Sequence, residues 1–331
     1  MTNLKKPQIN YKLIQSKLNL IKDNLFHRNF ELDLNNFSNL LNDRNQLQFK
    51  LNQLIHFRNK NISSRSSHVS SNDSVSINSN DVKNEIKNLE LNLNDLNNSL
   101  FNLSINIPNF SHPASPTNNK PNEVYTSNHT VIPSSGIRDH LNILTKLKLL
   151  NKPSANIISG NGFFILQNQL ASLEHSLINL ALSMATKHSF NLVTIPDLVK
   201  VDIAKRCGFI PRDQSANQTY HISNNNSEND LCLAATAEIP LAGIHADQVL
   251  NLKHLPLNYV AFGHAFRAEA GARGKDTRGL YRLHQFSKVE LFSITDENSS
   301  DDTFHDIINL QKSFIDLLDI PYRLVCCYFI N

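Results

Sequence analysis

The sequence predicts an α+β protein: a helical arm first, then an antiparallel β-sheet flanked by helices. Three observations carry that prediction. Apolar residues recur in alternating three- and four-residue steps through the first hundred positions, a cluster of prolines follows, and the composition then changes. Beyond the prolines, strand-like segments outnumber the crossovers that a parallel wound sheet needs, and the central two are joined as a hairpin.

The arm comes first. Leu34 to Asn61 reads as a helix, with Phe37, Leu40, Leu47, Leu51 and Leu54 on its seam and Arg44 interrupting it. From Asp81 to Leu103 the seam is cleaner: Val82, Ile86, Leu89, Leu93, Leu96, Leu100 and Leu103 keep a strict 4-3 alternation, the period of a coiled coil. The Ser/Asn-rich tract between them, residues 61–80, has little to bury. Two such helices make an antiparallel hairpin with this tract at its tip. The same spacing also serves a coiled coil between two copies, and the spacing does not choose.

Pro108, Pro113, Pro116 and Pro121 mark a linker. This divides the chain into an arm, 1–112, and a second domain, 113–331. In the second domain Asp139 to Leu150 predicts a short helix. Ser159 to Gln167 predicts a strand after a Gly turn. Leu170 to Lys187 is a long helix with Leu173, Leu177, Leu180, Ala181 and Met184 on one face. Asn191 to Ile195 is a strand ended by Pro196. Residues 231–236, 258–270 and 282–294 are further strands, Asp302 to Leu318 is a helix, and Tyr322 to Ile330 is a run rich in β-formers.

Composition sets the outer bounds. The chain has 331 residues, enough for two domains, and 40% of them are apolar. A net charge of +3 permits nucleic-acid binding without arguing for it. The four cysteines lack CxxC spacing with histidine partners, so no zinc site is expected, and a reducing compartment fits them. No apolar run reaches transmembrane length, so no membrane is expected. The N-terminus has no apolar core of a secretory signal. Its scarcity of acids before Asp23 suits an organelle presequence, although no Arg precedes Arg28.

The chemistry lies between Gly263 and Glu290, in GHAFRAEAGARGKDTRGLYRLHQFSKVE. Residues two apart share a face of a strand. Arg267 and Glu269 therefore share one face of an outgoing strand, and His284, Phe286, Lys288 and Glu290 share one face of the return strand. Gly271, Gly274 and Gly279, mixed with Arg273, Lys275 and Arg278, form the loop between them. Cations, acids and an aromatic ring directed at one pocket suit a polyphosphate, a planar base and an ammonium group together.

These residues, with Thr236-Ala237-Glu238, resemble the seryl-tRNA synthetases of class II. FRAEAG (266–271), DTRGLYRLHQF (276–286) and KVE (288–290) look like the second class motif, LVTIPDLV (192–199) like the first, and SGNGFFIL like the family's strand of that type. IPNFSHPASP (107–116) resembles the family's junction between arm and catalytic domain. The wording EAGARGKDTRGLYR is closer to bacterial and fungal organellar members than to cytosolic eukaryotic ones, which implies a mitochondrial protein, with the cytoplasm as the alternative.

The resemblance implies a serine–tRNA ligase that forms seryl-adenylate from serine and ATP and transfers serine to tRNA(Ser). It implies Arg267 on the α-phosphate and Glu290 on the serine as the catalytic pair. It implies an ATP site of Arg267, Ala268, Glu269, Leu283, Phe286 and Arg282, with Glu269 on the adenine amine and Phe286 on the adenine face. It implies a serine site of Thr236, Ala237, Glu238 and Glu290. Lys275 and Arg278 would meet the tRNA acceptor end or ATP. Mg²⁺ would accompany ATP, and the first motif would make a homodimer. The histidines are expected to be surface or satisfied polar residues. The match fades after Val325: the family's third motif and its Mg²⁺-holding acid are not found, so a chain cut short is expected. The alternative is an inactive paralogue that binds tRNA or pairs with a full-length enzyme.

Overall fold

A computed structural model describes residues 7–67, 79–116, 120–128, 139–209, 218–222, 230–269 and 279–327, without the side chains of 61–67 and 79–80. It contains two compact units. One comprises Lys6–Tyr125 with Leu324–Asn331, the other Thr126–Arg323 after the first few residues.

The first unit is mainly helical: α1 (Tyr11–Ser16), α2 (Leu18–His27), α3 (Leu34–Ser67) and α4 (Ser79–Ser104). Asp33 starts α3, its Oδ1 accepting from the Asn36 amide at 2.9 Å. Leu51 packs among Ile86, Leu89 and Leu93, while Phe37 and Leu41 pack on Leu100. The pairing therefore runs antiparallel and within one chain, which selects the hairpin. Arg44, the break in the apolar seam, donates from Nε to Asn97 Oδ1 across the two helices at 3.3 Å. The sequence reading left α1 and α2 unassigned and did not include Leu41. Tyr11, Ile14 and Leu18 close the base of the arm against the Phe37 cluster. Short helices of 6 and 10 residues carry too little periodicity to stand out, and packing stabilises them. Buried Asn24 fixes the following linker: its Nδ2 donates to the Asn109 carbonyl at 3.1 Å, and its Oδ1 accepts from the Ser111 amide and hydroxyl. The linker leads to β1 (Asn122–Thr126).

The second unit contains α5 (His140–Lys146), β2 (Leu150–Asn151), α6 (Lys152–Ser159), β3 (Ile165–Leu166), α7 (Asn168–Lys187), β4 (Asn191–Thr194), β5 (Leu198–Lys200), α8 (Val201–Arg206), β6 (His221–Ile222), β7 (Leu231–Leu233), α9 (Glu238–Gly243), β8 (Leu257–Phe266), β9 (Gln285–Ile294) and α10 (Ser300–Leu317). β10 (Arg323–Cys326) pairs with β1. The strand expected over 159–167 shrinks to β3, because the chain turns at Gly160 and Gly162, both at positive φ. Asn151 caps Ser154, and Pro153 sits in the first turn of α6, a helix start that the sequence reading did not use.

The main sheet has the order β4-β8-β9. β8 and β9 pair antiparallel over ten residues each, from Leu257↔Ile294 to Phe266↔Gln285. β4 runs parallel to β8, and the second sheet, β5-β7-β6, lies in the long crossover such a pair requires. One face of the main sheet is closed by α7 and α10, where Val260 packs with Ala185 and Leu310. On the other face Ala261 packs with Ala237 and Leu241, beside Tyr259 and Phe292. The site lies on this second face. Small residues make room there: Ala261 is opposite Glu290, Gly263 opposite Lys288 and Ala265 opposite Phe286.

Candidate active site

The strand parity read from the sequence holds for Phe286, Lys288 and Glu290 on β9. The outgoing strand ends at Phe266, short of the expected residue 270, so that Arg267 continues the ladder by one bond and Glu269 turns out of it, and two clusters form along the hairpin. The first surrounds Arg267. Its guanidinium carbon lies 5.2 Å from the centre of the Phe286 ring, a cation–π contact, and its Nε donates to the Ala235 carbonyl at 3.4 Å. Beyond it, Glu269 adopts a positive φ of 47° and accepts from Arg282 Nη1 at 2.9 Å. A left-handed backbone at a non-glycine residue costs on the order of 1 kcal/mol and persists where its surroundings fix it. The Ala268 amide donates to the Gln218 carbonyl, and Leu283 is half-buried. Residues 270–278, including Lys275 and Arg278, lie outside the described residues.

The second cluster is acidic. Thr236 and Glu290 are buried, with 7% and 9% of their surface exposed, and the Thr236 hydroxyl donates to Glu290 Oε2 at 3.0 Å. Glu238 starts α9 and shares the pocket, while Ala237 is buried beneath it. Between the two acids lies Lys288. Its Nζ stands 2.6 Å from Glu290 Oε2, 3.7 Å from Glu238 Oε1 and 3.0 Å from Thr236 Oγ1. The Glu238 carboxyl is pushed above the usual carboxylate range by partial burial and then by the adjoining Glu290 charge, with Lys288 opposing.

The direction of that shift fixes a pH effect. The fold favours neutral Glu238, so this contribution to stability is complete below a pH of about 4 and is lost as pH rises through the raised pKa. Glu238→Gln should melt with the parent at pH 4 and above it at pH 7. The gain should be no more than about 2 °C, because solvent screens a side chain 56% exposed. Thermal melts at the two pH values check this.

His284 was expected to be a surface or satisfied polar residue, and it is satisfied. Its Nδ1 is 2.8 Å from the Tyr220 hydroxyl and 3.1 Å from the Arg267 carbonyl, and its ring stacks on Phe163. Its backbone extends the hairpin: the Arg267 amide donates to the His284 carbonyl, and the His284 amide donates to Gly162. Gly162, at φ +83°, lies so close that a Cβ there would overlap the imidazole. The SGNGFF turn thus needs this glycine to seat the histidine behind Arg267. His264 is likewise paired, 3.0 Å from Asp197 Oδ2. Lys288 is the residue whose importance the sequence reading missed. Parity placed it on the correct face, but only folding brought the Thr236 loop over it.

A groove of about 560 Å³ runs along β9 between α7 and α10, with Lys288 and Glu290 among its lining residues. Leu177, Ala181, Met184, Leu291 and Phe314 make it apolar, and it does not reach Arg267 or Glu269.

Residues 9–111 match the family profile of the seryl-tRNA synthetase N-terminal domain, and residues 220–328 match that of the class II tRNA synthetase core domain (G, H, P, S and T). The chain belongs to the seryl-tRNA synthetase family. Among relatives of that family, the serine–tRNA ligase of Dictyoglomus thermophilum is 39% identical over 188 residues, covering 57% of this chain and 43% of its own. The mitochondrial serine–tRNA ligase of Schizosaccharomyces pombe is 38% identical over 196 residues, covering 58% of this chain and 40% of its own. The chain thus spans about half the length or less of these curated seryl-tRNA synthetases. The seryl-tRNA synthetase of Pyrococcus horikoshii complexed with ATP superposes with a TM-score of 0.85 at 27% identity, covering 97% of this chain and 77% of that one.

Proposed function

We propose that the chain serves serine–tRNA ligation: it activates L-serine with ATP, and serine then passes to tRNA(Ser). The observation that carries this reading is the placement of two clusters on one hairpin, a guanidinium and aromatic ring at one end and a buried carboxylate with a hydroxyl at the other. Thr236, Ala237, Glu238 and Glu290 hold serine by its ammonium and hydroxyl. Buried polar partners suit discrimination by hydrogen bonding. Phe286 and Glu269 hold the adenine by its face and its amine, and Ala268 and Leu283 line the same site.

In the reaction, a serine carboxylate oxygen attacks the α-phosphorus and the bond to pyrophosphate breaks. Arg267 neutralises the charge that builds on the α-phosphate oxygens, and its fixed fork suits them better than a flexible ammonium. Arg282 reaches the outer phosphates. No proton is transferred in this step, so it needs no general base. In the second step the tRNA ribose hydroxyl attacks the acyl carbon, the bond to the AMP phosphate oxygen breaks, and the hydroxyl proton passes to the departing phosphate. Mg²⁺ comes with the nucleotide: it is held chiefly by phosphates and water, and among the described residues no three metal-ligating side chains converge. The ATP in the P. horikoshii complex supports the nucleotide assignment.

Residues 1–112 form the tRNA-binding arm, reading shape and phosphates, and 113–331 carry the chemistry. The homodimer forms through the first motif, where Leu192 on β4 and Leu198 on β5 are 55% and 44% exposed. The S. pombe relative supports a mitochondrial site of action. The test is calorimetric titration with the acyl-sulfamate analogue of seryl-adenylate. Binding that competes with ATP and exceeds that of the alanyl analogue is expected. Absence of binding, with intact affinity for serine tRNA in a gel shift, would instead select the inactive paralogue.

A further inference from the structure

In this structure the amino-acid pocket already contains an ammonium group, that of Lys288. Its Nζ makes three contacts, to Glu290 Oε2 at 2.6 Å, Thr236 Oγ1 at 3.0 Å and Glu238 Oε1 at 3.7 Å. These oxygens belong to the residues assigned above to the ammonium and hydroxyl of serine. We propose that Lys288 is a tethered placeholder for the substrate ammonium, holding the empty pocket together and withdrawing when the amino acid binds. This rests on the reading of the pocket as a serine site.

Electrostatics give the device a purpose. Glu290 is buried and lies near Glu238, and two neighbouring carboxylates without a cation repel each other. A buried, unpaired charge is strongly unfavourable. An empty pocket of this kind would protonate or collapse. The lysine stands between the two carboxylates and bridges them, and so preserves a pocket shaped for an ammonium. Its reach allows release: Lys288 arises on β9 two residues from Glu290, and its side chain is 30% exposed, so the flexible stem can turn outward. A free amino acid must then compete with a tethered cation. That disfavours neutral or weakly held ligands and sets a threshold that only a ligand contacting several of these oxygens overcomes.

Lysine acylation measured by mass spectrometry, with and without L-serine and ATP, tests the proposal on the unaltered chain, and calorimetry on the same sample records serine binding. Lys288 should react slowly in the free protein and several-fold faster at saturating serine. Serine binding with Lys288 reactivity unchanged or reduced overturns the placeholder and leaves the serine site standing. No serine binding at all overturns the underlying reading, and the placeholder with it. Lys288→Met gives a second measurement. If the lysine fills the subsite about nine-tenths of the time, its removal should tighten serine binding about tenfold. Weaker binding in Lys288→Met that Lys288→Arg restores would identify the lysine as a permanent binding partner, and would overturn displacement.

Discussion

Arg267→Ala is expected to weaken binding of the seryl-adenylate acyl-sulfamate by roughly 10²- to 10³-fold, the loss typical when one donor to a developing oxyanion is removed. The guanidinium is held at two points, over the Phe286 ring and against the Ala235 carbonyl, and the Arg267 backbone amide is fixed on the His284 carbonyl. It is therefore preorganised, and little ordering is needed when the anion arrives. Arg267→Lys should recover only part of the loss, because an ammonium keeps the charge but not the two-pronged geometry or the flat contact with Phe286. Circular dichroism should show both variants folded, since the residue is only half-buried. Equal affinity of parent and Arg267→Ala for the analogue would remove Arg267 from the nucleotide site.

Phe37→Ala is expected to destabilise the helical arm by about 3–5 kcal/mol, the range for emptying a well-packed aromatic site. Phe37 and Leu100 are each fully buried, and Leu41, Tyr11, Ile14 and Leu18 close around them where the two long helices and the N-terminal helices meet. The helices are long and polar on their outer faces, so this cluster and the one around Leu51 carry most of their tertiary stability. Urea unfolding followed by helical signal would measure the loss. Phe57→Ala, at a position 38% exposed, should cost no more than about 1 kcal/mol. Similar costs at the two positions would mean that the arm is not held from its base.

Much of this was legible in the sequence, for definite reasons. A period of 3.5 residues can be satisfied only by burying a helical seam, so Ile86, Leu89, Leu93 and Leu100 announced the arm. A period of two fixes which side chains share a strand face, so Arg267, Phe286 and Glu290 could be placed on one surface before any fold was known. The helices α1 and α2 were not legible, because they are short and take their stability from the Phe37 cluster. Nor was α6, a helix of 8 residues started by the Asn151 cap and Pro153. Whether the heptads pair within one chain or between two was undecidable from spacing, and contacts such as Arg44 with Asn97 decide it.

The sequence by itself therefore determined the elements, their faces and the family, because these follow from local periodicity and from motifs of fixed spacing. Only the tertiary structure decided what crosses between distant segments. It brought Thr236 and Glu238, more than fifty residues before Glu290, over the hairpin, and it set Lys288 between the acids. It also placed His284 against Gly162 and Tyr220 behind Arg267. Side-chain parity states which way a residue points. What it meets there depends on chain closure, and no local pattern records that.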